Sequence, residues 1–469
     1  MRIWNNLIGI AMIAGSLPLT AERAGAVTTF VVESVDAPLN GNVGQHTSIA
    51  VDAQAAPHIA YLDSDNGNLK YARRSGGVWT RETADGSANV VGFSTSIELD
   101  ANGNPHVSYQ DFTSGDLKYA WKSGGIWSRE VADATNTVGR FSSLELDALG
   151  NPHISYWDAT TADLKYAWKS GGVWATEAAE ASPNAVGLFC SLALDAGGNP
   201  HVTYQDQTTS TLRHAWKSGG SWFTETADSA NQNGFVGTFT SLAIDAGGGL
   251  HVTYVGAGDA GICLKYARKT AGMWTREFAD SSSVQVGQHG CLVLDAQGNP
   301  HVSYEDFTNN NVRYARKSGG AWTIQFADSL TNVGNYTSLA LDALGRPHIS
   351  YVDASTGLFG LRYAAGSAPT AVSPSLGATR SLEVLPNPIA QGEASIRYEV
   401  RPGTPVDLAI YDLSGRRVST IAANAISSGS NIVSWTGLDG ANRRLAPGVY
   451  ILRLVAGDRV ESKRVTIVR

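Results

Sequence analysis

One phrase, Asp-x-x-Gly-x-Pro-His, recurs seven times along this chain, with its histidine at His58, His106, His153, His201, His251, His301 and His348. Two copies deviate: Ala55 replaces the glycine of the first and Leu250 the proline of the fifth. The intervals between histidines are 48, 47, 48, 50, 50 and 47 residues. A repeat of this length is one supersecondary unit that buries its apolar faces only by stacking on its neighbours. Each unit holds four short strand patterns broken by turn residues, so the array reads as a β-propeller.

In the third unit the strands are Ser143-Leu-Glu-Leu-Asp147, His153-Ile-Ser-Tyr156, Leu164-Lys-Tyr-Ala-Trp168 and Trp174-Ala-Thr-Glu177. The first and second are joined by a tight glycine turn, the third and fourth by Lys-Ser-Gly-Gly. In an up-and-down blade these two hairpins share one face, the bottom. The variable connections, such as 206–211 and 228–237, share the top. Variation confined to one face of a repeated scaffold marks the face where binding sits. The seventh unit stops after Leu361-Arg-Tyr-Ala364, without its fourth strand. Phe30-Val-Val-Glu-Ser-Val-Asp36 aligns with Trp79-Thr-Arg-Glu-Thr-Ala-Asp85 and is expected to supply that strand, closing the ring. The Asp-x-x-Gly-Asn-x turn resembles that of NHL-type propellers. The Pro-His-Ile-Ser-Tyr…Leu-Lys-Tyr-Ala…Trp-x-x-Glu unit is similar to repeats of exported bacterial propellers of sialidase-like or BNR-like type. That likeness speaks to fold far more than to activity.

The chain opens with Arg2, a short apolar core at 7–14 and the small residues Ala24-Gly25-Ala26, which read as a secretory signal over 1–26. The apolar run is well short of the roughly 20 residues needed to span a bilayer, and no later stretch spans. The propeller is placed at 27–366 and a Pro/Ser/Ala linker at 367–380. Residues 381–469 change pattern to short alternating strands, expected to form an Ig-like β-sandwich. Leu385-Pro-Asn-Pro388, Ile410-Tyr-Asp-Leu-Ser-Gly-Arg-Arg-Val418, Trp435-Thr-Gly-Leu-Asp-Gly440 and Leu445-Ala-Pro-Gly-Val-Tyr450 resemble FlgD-type Ig-like domains and type IX secretion sorting domains. This implies engagement of a secretion machinery or surface attachment. The expectation is an all-β chain, a seven-bladed β-propeller followed by an Ig-like sandwich, placed outside the cell or on its outer surface.

The repeated polar residues invite chemistry, but each has a structural use. Seven histidines on second strands do not converge on one ion, and no metal site is expected. The aspartates that end the innermost strands suit Asx-type turns. The outer-strand tryptophans, from Trp79 to Trp322, suit packing between blades. A further set stands two residues after each top-loop glycine: His46, Ser94, Phe141, Phe189, Phe239, His289 and Tyr336. It should ring the upper mouth of the channel, where His46, Phe141, Phe189, Phe239, His289 and Tyr336 would contact a ligand or plug the opening. Cys263 and Cys291 should lie near each other on adjacent blades, either as a candidate disulfide or as two lone buried thiols, while Cys190 reads as a buried thiol.

A formal charge of −7 argues against a nucleic-acid partner. A sialidase-like active site would need an arginine cluster on the channel, and the innermost strands, read as Ser-Leu-Ala-Leu-Asp, supply none. No catalytic motif or phosphate loop appears, and no cofactor is implied. The expected function is therefore an exported, non-catalytic binding or adhesion protein whose upper loops meet a glycan or surface protein. A sialidase-like glycoside- or polysaccharide-active enzyme and a structural envelope scaffold are the alternatives.

Overall fold

The computed structural model describes residues 28–469 apart from 38–40, 231–233, 259–260, 283–284 and 368–381. Also outside it are 386–388, 390–393, 400–404, 413–415, 427–429, 441–442, 457–458 and 469. The expected signal peptide and, but for Ser367, the expected linker lie outside the described residues. The chain divides into two compact units, residues 1–371 and 372–469.

The first unit is a seven-bladed propeller of four-stranded antiparallel sheets. Blade one runs outward through Val43–Val51, Pro57–Asp63, Asn68–Ser75 and Val78–Asp85, and blades two to six repeat this order. Blade seven takes its outer strand, Phe30–Asp36, from the other end of the propeller sequence, with Phe30 opposite Gly366 and Val32 opposite Ala364. The expected closure is therefore present, and the ring has no open edge at its seam.

Between blades the apolar residues of facing sheets form one core cluster per junction, such as Leu117, Tyr119, Leu144, Ile154 and Tyr156. Around each cluster the repeated polar residues join one blade to the next. Buried Asp85, on the outer strand of blade one, accepts from Tyr109 Oη at 2.8 Å and Lys118 Nζ at 2.6 Å, both of blade two. The same joint recurs at Asp133 with Tyr156 and Lys165, and at Asp228 with Tyr254 and Lys265. At the seam Asp36 takes Tyr61 and Lys70 of blade one. The N-terminal strand therefore completes one blade and grips the next.

The tryptophans work in the same joints. Trp127 meets Tyr71 edge-on at 5.3 Å and Trp174 meets Tyr119 at 5.4 Å. Trp174 Nε1 donates to Glu130 of the preceding blade at 2.8 Å. The histidines are bound within their own blades: His58 Nε2 faces Asp52 at 3.2 Å and Nδ1 faces Tyr71 Oη at 2.7 Å. Burial holds His58 below the ordinary imidazole value despite Asp52, so it bridges as a neutral ring. The aspartates cap the turns, Asp100 Oδ1 accepting from the backbone of Asn102 and Asn104. Six of these turns place glycine at positive φ, and Ala55, at φ 60°, bears the strain of the seventh.

All three cysteines are free, so of the two readings of Cys263 and Cys291 the structure has the lone thiols and not the candidate disulfide. Cys263 lies within the third strand of blade five, its Sγ toward the Gly261 carbonyl of that strand. Cys291 instead turns to blade seven, its Sγ toward the Leu339 carbonyl. Thiol labelling of the denatured, unreduced protein is expected to count three thiols; a count of one would restore the bridge.

The second unit packs a three-stranded sheet (Leu382–Leu385, Ala394–Glu399, Ser430–Trp435) on a four-stranded one (Pro405–Tyr411, Arg417–Ile426, Gly448–Ala456, Arg459–Ile467). Their shared core includes Ile396, Leu408, Ile410, Trp435, Leu452 and Val465. Two of the sequence motifs form matching turns, in which Asp412 and Asp439 accept from the backbone and guanidinium of Arg416 and Arg443. Tyr450 Oη donates to the Ala446 carbonyl and pins the chain entering its strand.

Candidate functional site: the upper mouth of the propeller

Each innermost strand opens on a Val-Gly step, which in blade three, Val138-Gly139, lies just before the strand. A Cβ at Gly187 would lie 2.7 Å from Leu164 Cα of the preceding blade. Only glycine lets the strand pass this close. Two residues later the register slips: Gln45 pairs with Leu62 but Ser48 with Ala60, leaving His46 and Thr47 in a bulge. Every residue in the bulge's first position is left-handed: His46, Ser94, Phe141, Phe189, Phe239, His289 and Tyr336 have φ between 49° and 56°. Such a conformation costs a β-strand residue about 1–2 kcal/mol, and here it recurs in all seven blades.

The bulge throws these side chains into one collar. Phe141 and Phe189 have centroids 4.6 Å apart, Phe189 and Phe239 4.7 Å, and Phe239 and His289 4.8 Å. His289 and Tyr336 follow at 4.8 Å, and Tyr336 and His46 at 4.4 Å. All six aromatic or imidazole residues named from the sequence thus come together, with Ser94 as the one small member. The collar is tied by a second ring: Ser142, Thr240 and Thr337 hydroxyls and the Cys190 thiol donate to carbonyls of collar residues one blade back. A third ring lies below, where Ser96 Oγ accepts from Leu144 N and Ser143 Oγ from Leu192 N. Cys190 and Cys291 stand at hydroxyl positions in these rings, and burial pushes the Cys190 thiol up to about 12.

The collar is chemically two-sided. Three phenylalanines fill the arc of blades three to five. Across from them, buried Glu305 meets His289 Nδ1 at 3.0 Å and takes both amide hydrogens of Asn335 at 3.1 Å. Burial, with the charge of His289 second, holds His46 down to about 4, so it is neutral at physiological pH.

Above the collar stands a rim that the sequence repeat does not mark. The residue before each collar member pairs across to the second strand, and these pairs do not repeat. They are Gln45 with Leu62, Phe93 with Gln110, Arg140 with Trp157, and Leu188 with Gln205. Thr238 with Val255, Gln288 with Glu305, and Asn335 with Val352 complete the circle. Around this rim Phe93 stacks on Phe112 at 5.0 Å, and Phe112 is 64% exposed. Arg140 lies over Trp157 at 5.2 Å and Phe141 at 5.6 Å.

Arg140 also corrects an expectation. The innermost strand of blade three runs Arg140–Leu146, so one arginine does stand on an innermost strand, above the segment read from sequence. A second correction lies lower down. Where the other blades carry Ala50, Ala193, Ala243, Val293 and Ala340, blades two and three carry Glu98 and Glu145. Both carboxyls are half-buried: water reaches them, yet protein crowds them on most sides. Burial pushes Glu98 up to about 7, and burial together with the charge of Glu98 pushes Glu145 well above the usual range. At about 3.3 Å per residue they sit roughly 13 Å below the collar.

A cavity of about 350 Å³ lies lower down between blades five and six, lined by His251, Arg268, Glu277 and Lys317 among others. Blades two to four fill the equivalent space with Trp121, Trp168 and Trp216, where blade five has Arg268. Its cations are already paired, Arg268 with Asp245 at 2.9 Å and Lys317 with Glu277, so the rim is the better-equipped surface. Among the described residues, no three His, Cys, Asp or Glu side chains are grouped to hold a metal ion.

Residues 387–459 match the FlgD Ig-like domain family. A search of curated proteins returned no match. Among solved structures the chain is similar to a protein of unknown function from Dyadobacter fermentans, at 11% identity and TM-score 0.44, covering 72% of this chain and 99% of that one. It is similar to PorZ, a surface component of the type-IX secretion system of Porphyromonas gingivalis, at 13% identity and TM-score 0.42, covering 92% and 60%. It is also similar to an oligogalacturonate lyase from Vibrio parahaemolyticus, at 9% identity and TM-score 0.49, covering 72% and 96%.

Proposed function

We propose that this is an exported, non-catalytic binding protein that takes carbohydrate at the upper mouth of its propeller. The Ig-like unit would serve secretion or surface attachment, a reading supported by the family match over 387–459. The observation that carries the binding reading is the rim. A scaffold that repeats its joints seven times places a different pair of side chains at each of seven equivalent rim positions. Uniform packing would need one pair repeated. The chemistry of the rim suits sugars: aromatic faces meet the C–H faces of a pyranose, and the amides of Gln45 and Gln288 donate and accept at once, as hydroxyls require.

Presenting the intact chain to a glycan array is expected to retain at least one glycan. Phe112→Ala should weaken that binding about tenfold with thermal unfolding unchanged, because the side chain is largely exposed. Retention of no glycan would overturn the reading. One observation favours the enzymatic alternative, the pair Glu98 and Glu145. It lies roughly 13 Å below the collar rather than on the upper face, where the side chains differ from blade to blade, which is why the binding reading is preferred.

A further inference from the structure

We propose that the gap in the collar at Ser94 is a subsite for the carboxylate of an acidic sugar, with Arg140 as its ligand. This rests on the reading of the mouth as a glycan site and names the class of glycan. Six of the seven collar positions are filled by rings in mutual contact, and the seventh, Ser94, brings none between His46 and Phe141; the ring of Phe93, one residue earlier, lies 5.1 Å from His46. Arg140 is the residue immediately before Phe141 on the neighbouring blade, is exposed, and is one of only two charged residues on the rim, the other being buried Glu305.

Arg140 differs from the other cations of the propeller. Lys70, Lys118, Lys165, Arg213, Lys265, Arg313 and Arg362 all sit in joints, each against a carboxylate of the preceding blade. Arg140 makes no ion pair among the described residues; its guanidinium lies instead over the rings of Trp157 and Phe141. Stacking covers the apolar faces of a guanidinium and leaves its edge N–H groups free, a fork that matches a carboxylate bidentately. On the other side Phe93 and exposed Phe112 stack to form a platform for a sugar ring. An anion fork beside an aromatic platform fits a sugar that carries its own carboxylate. In a chain of net charge −7, an unpaired arginine over a channel mouth is a local exception.

The test uses the intact protein, a short oligogalacturonate and its methyl ester, with binding measured by calorimetry. The acid is expected to bind about 10- to 100-fold more tightly than the ester, the worth of one charge-assisted hydrogen-bonded pair. Arg140→Gln should bring the acid down to the level of the ester and leave the ester unchanged. Arg140→Lys should recover part of the difference, and the thermal unfolding of both variants should match the parent. Equal binding of acid and ester, or a preference that survives Arg140→Gln, would overturn the subsite and leave the glycan reading standing. Failure of both sugars, together with a blank glycan array, would remove both.

Discussion

Asp85→Ala is expected to destabilise the propeller by about 3–5 kcal/mol, the usual result of stripping one partner from a buried ion pair. Asp85 is fully buried, and its carboxylate accepts from Tyr109 Oη at 2.8 Å and Lys118 Nζ at 2.6 Å across the junction of blades one and two. Removing it leaves the Tyr109 phenol without its carboxylate and Lys118 with only the more distant Asp111, at 3.8 Å, and that desolvation is the larger part of the loss. Asp85→Asn keeps an acceptor for Tyr109 but not the charge for Lys118, and should lose less. Chemical unfolding monitored by tryptophan fluorescence measures both; a loss below about 1 kcal/mol for Asp85→Ala would show that the joint carries little. The pH dependence follows from the same contacts. Burial alone would raise this carboxyl, but the bonds from Lys118 and Tyr109 outweigh it and hold the group below its ordinary value. Its contribution is therefore complete above the ordinary carboxylate range and is lost as the pH falls through its lowered folded-state value.

Glu98 and Glu145 predict the opposite sign. Their carboxyls are raised in the folded state, so each favours folding less as the pH rises from its ordinary value toward the folded one. The double variant Glu98→Gln, Glu145→Gln is expected to gain about 2 kcal/mol over the parent near pH 8, discounted for the water that reaches the channel. Near pH 3, where both carboxyls are protonated in either state, the two proteins should be equally stable. Unfolding free energies measured across that range check it. A gain that does not change with pH would show that the carboxyls are ordinary, and a loss would show that they hold something together.

The architecture was largely legible because its signal is repetition. Seven Asp-x-x-Gly-x-Pro-His turns, the missing fourth strand of the last unit and its match at Phe30–Asp36 are statements about order along the chain, and order survives without coordinates. The mouth was only half legible. The collar was found because it lies at a fixed offset from a repeated glycine. The rim was missed because the bulge breaks the alternation of each innermost strand, so the pattern resumes only at Ser143 and its counterparts. Arg140, Leu188 and Phe93 then looked like loop. Glu98 and Glu145 were passed over for another reason: in the column Ala, Glu, Glu, Ala, Ala, Val, Ala the glutamates satisfy the turn-proximal strand pattern as well as alanine does. A column-by-column comparison of the seven copies, seeking positions inside strands that refuse to repeat, would have exposed both. Bridge and lone thiols stayed open for Cys263 and Cys291 because neighbouring columns do not fix side-chain direction; one thiol stays with its own strand while the other turns toward the next blade.

The strand borrowed by blade seven also sets the order in which the molecule can be completed. Thr29 and its partner Ser367 lie 338 residues apart. Phe30–Asp36 is the first propeller strand to leave the ribosome and the last to find its place. Until the seventh unit has been synthesised, Asp36 can hold Tyr61 and Lys70, but the main chain of that strand has nothing to pair with. Contacts this distant in sequence are slow to form. The ring becomes a ring only once both of its ends have been made and Phe30–Asp36 has paired with the strand that ends at Gly366.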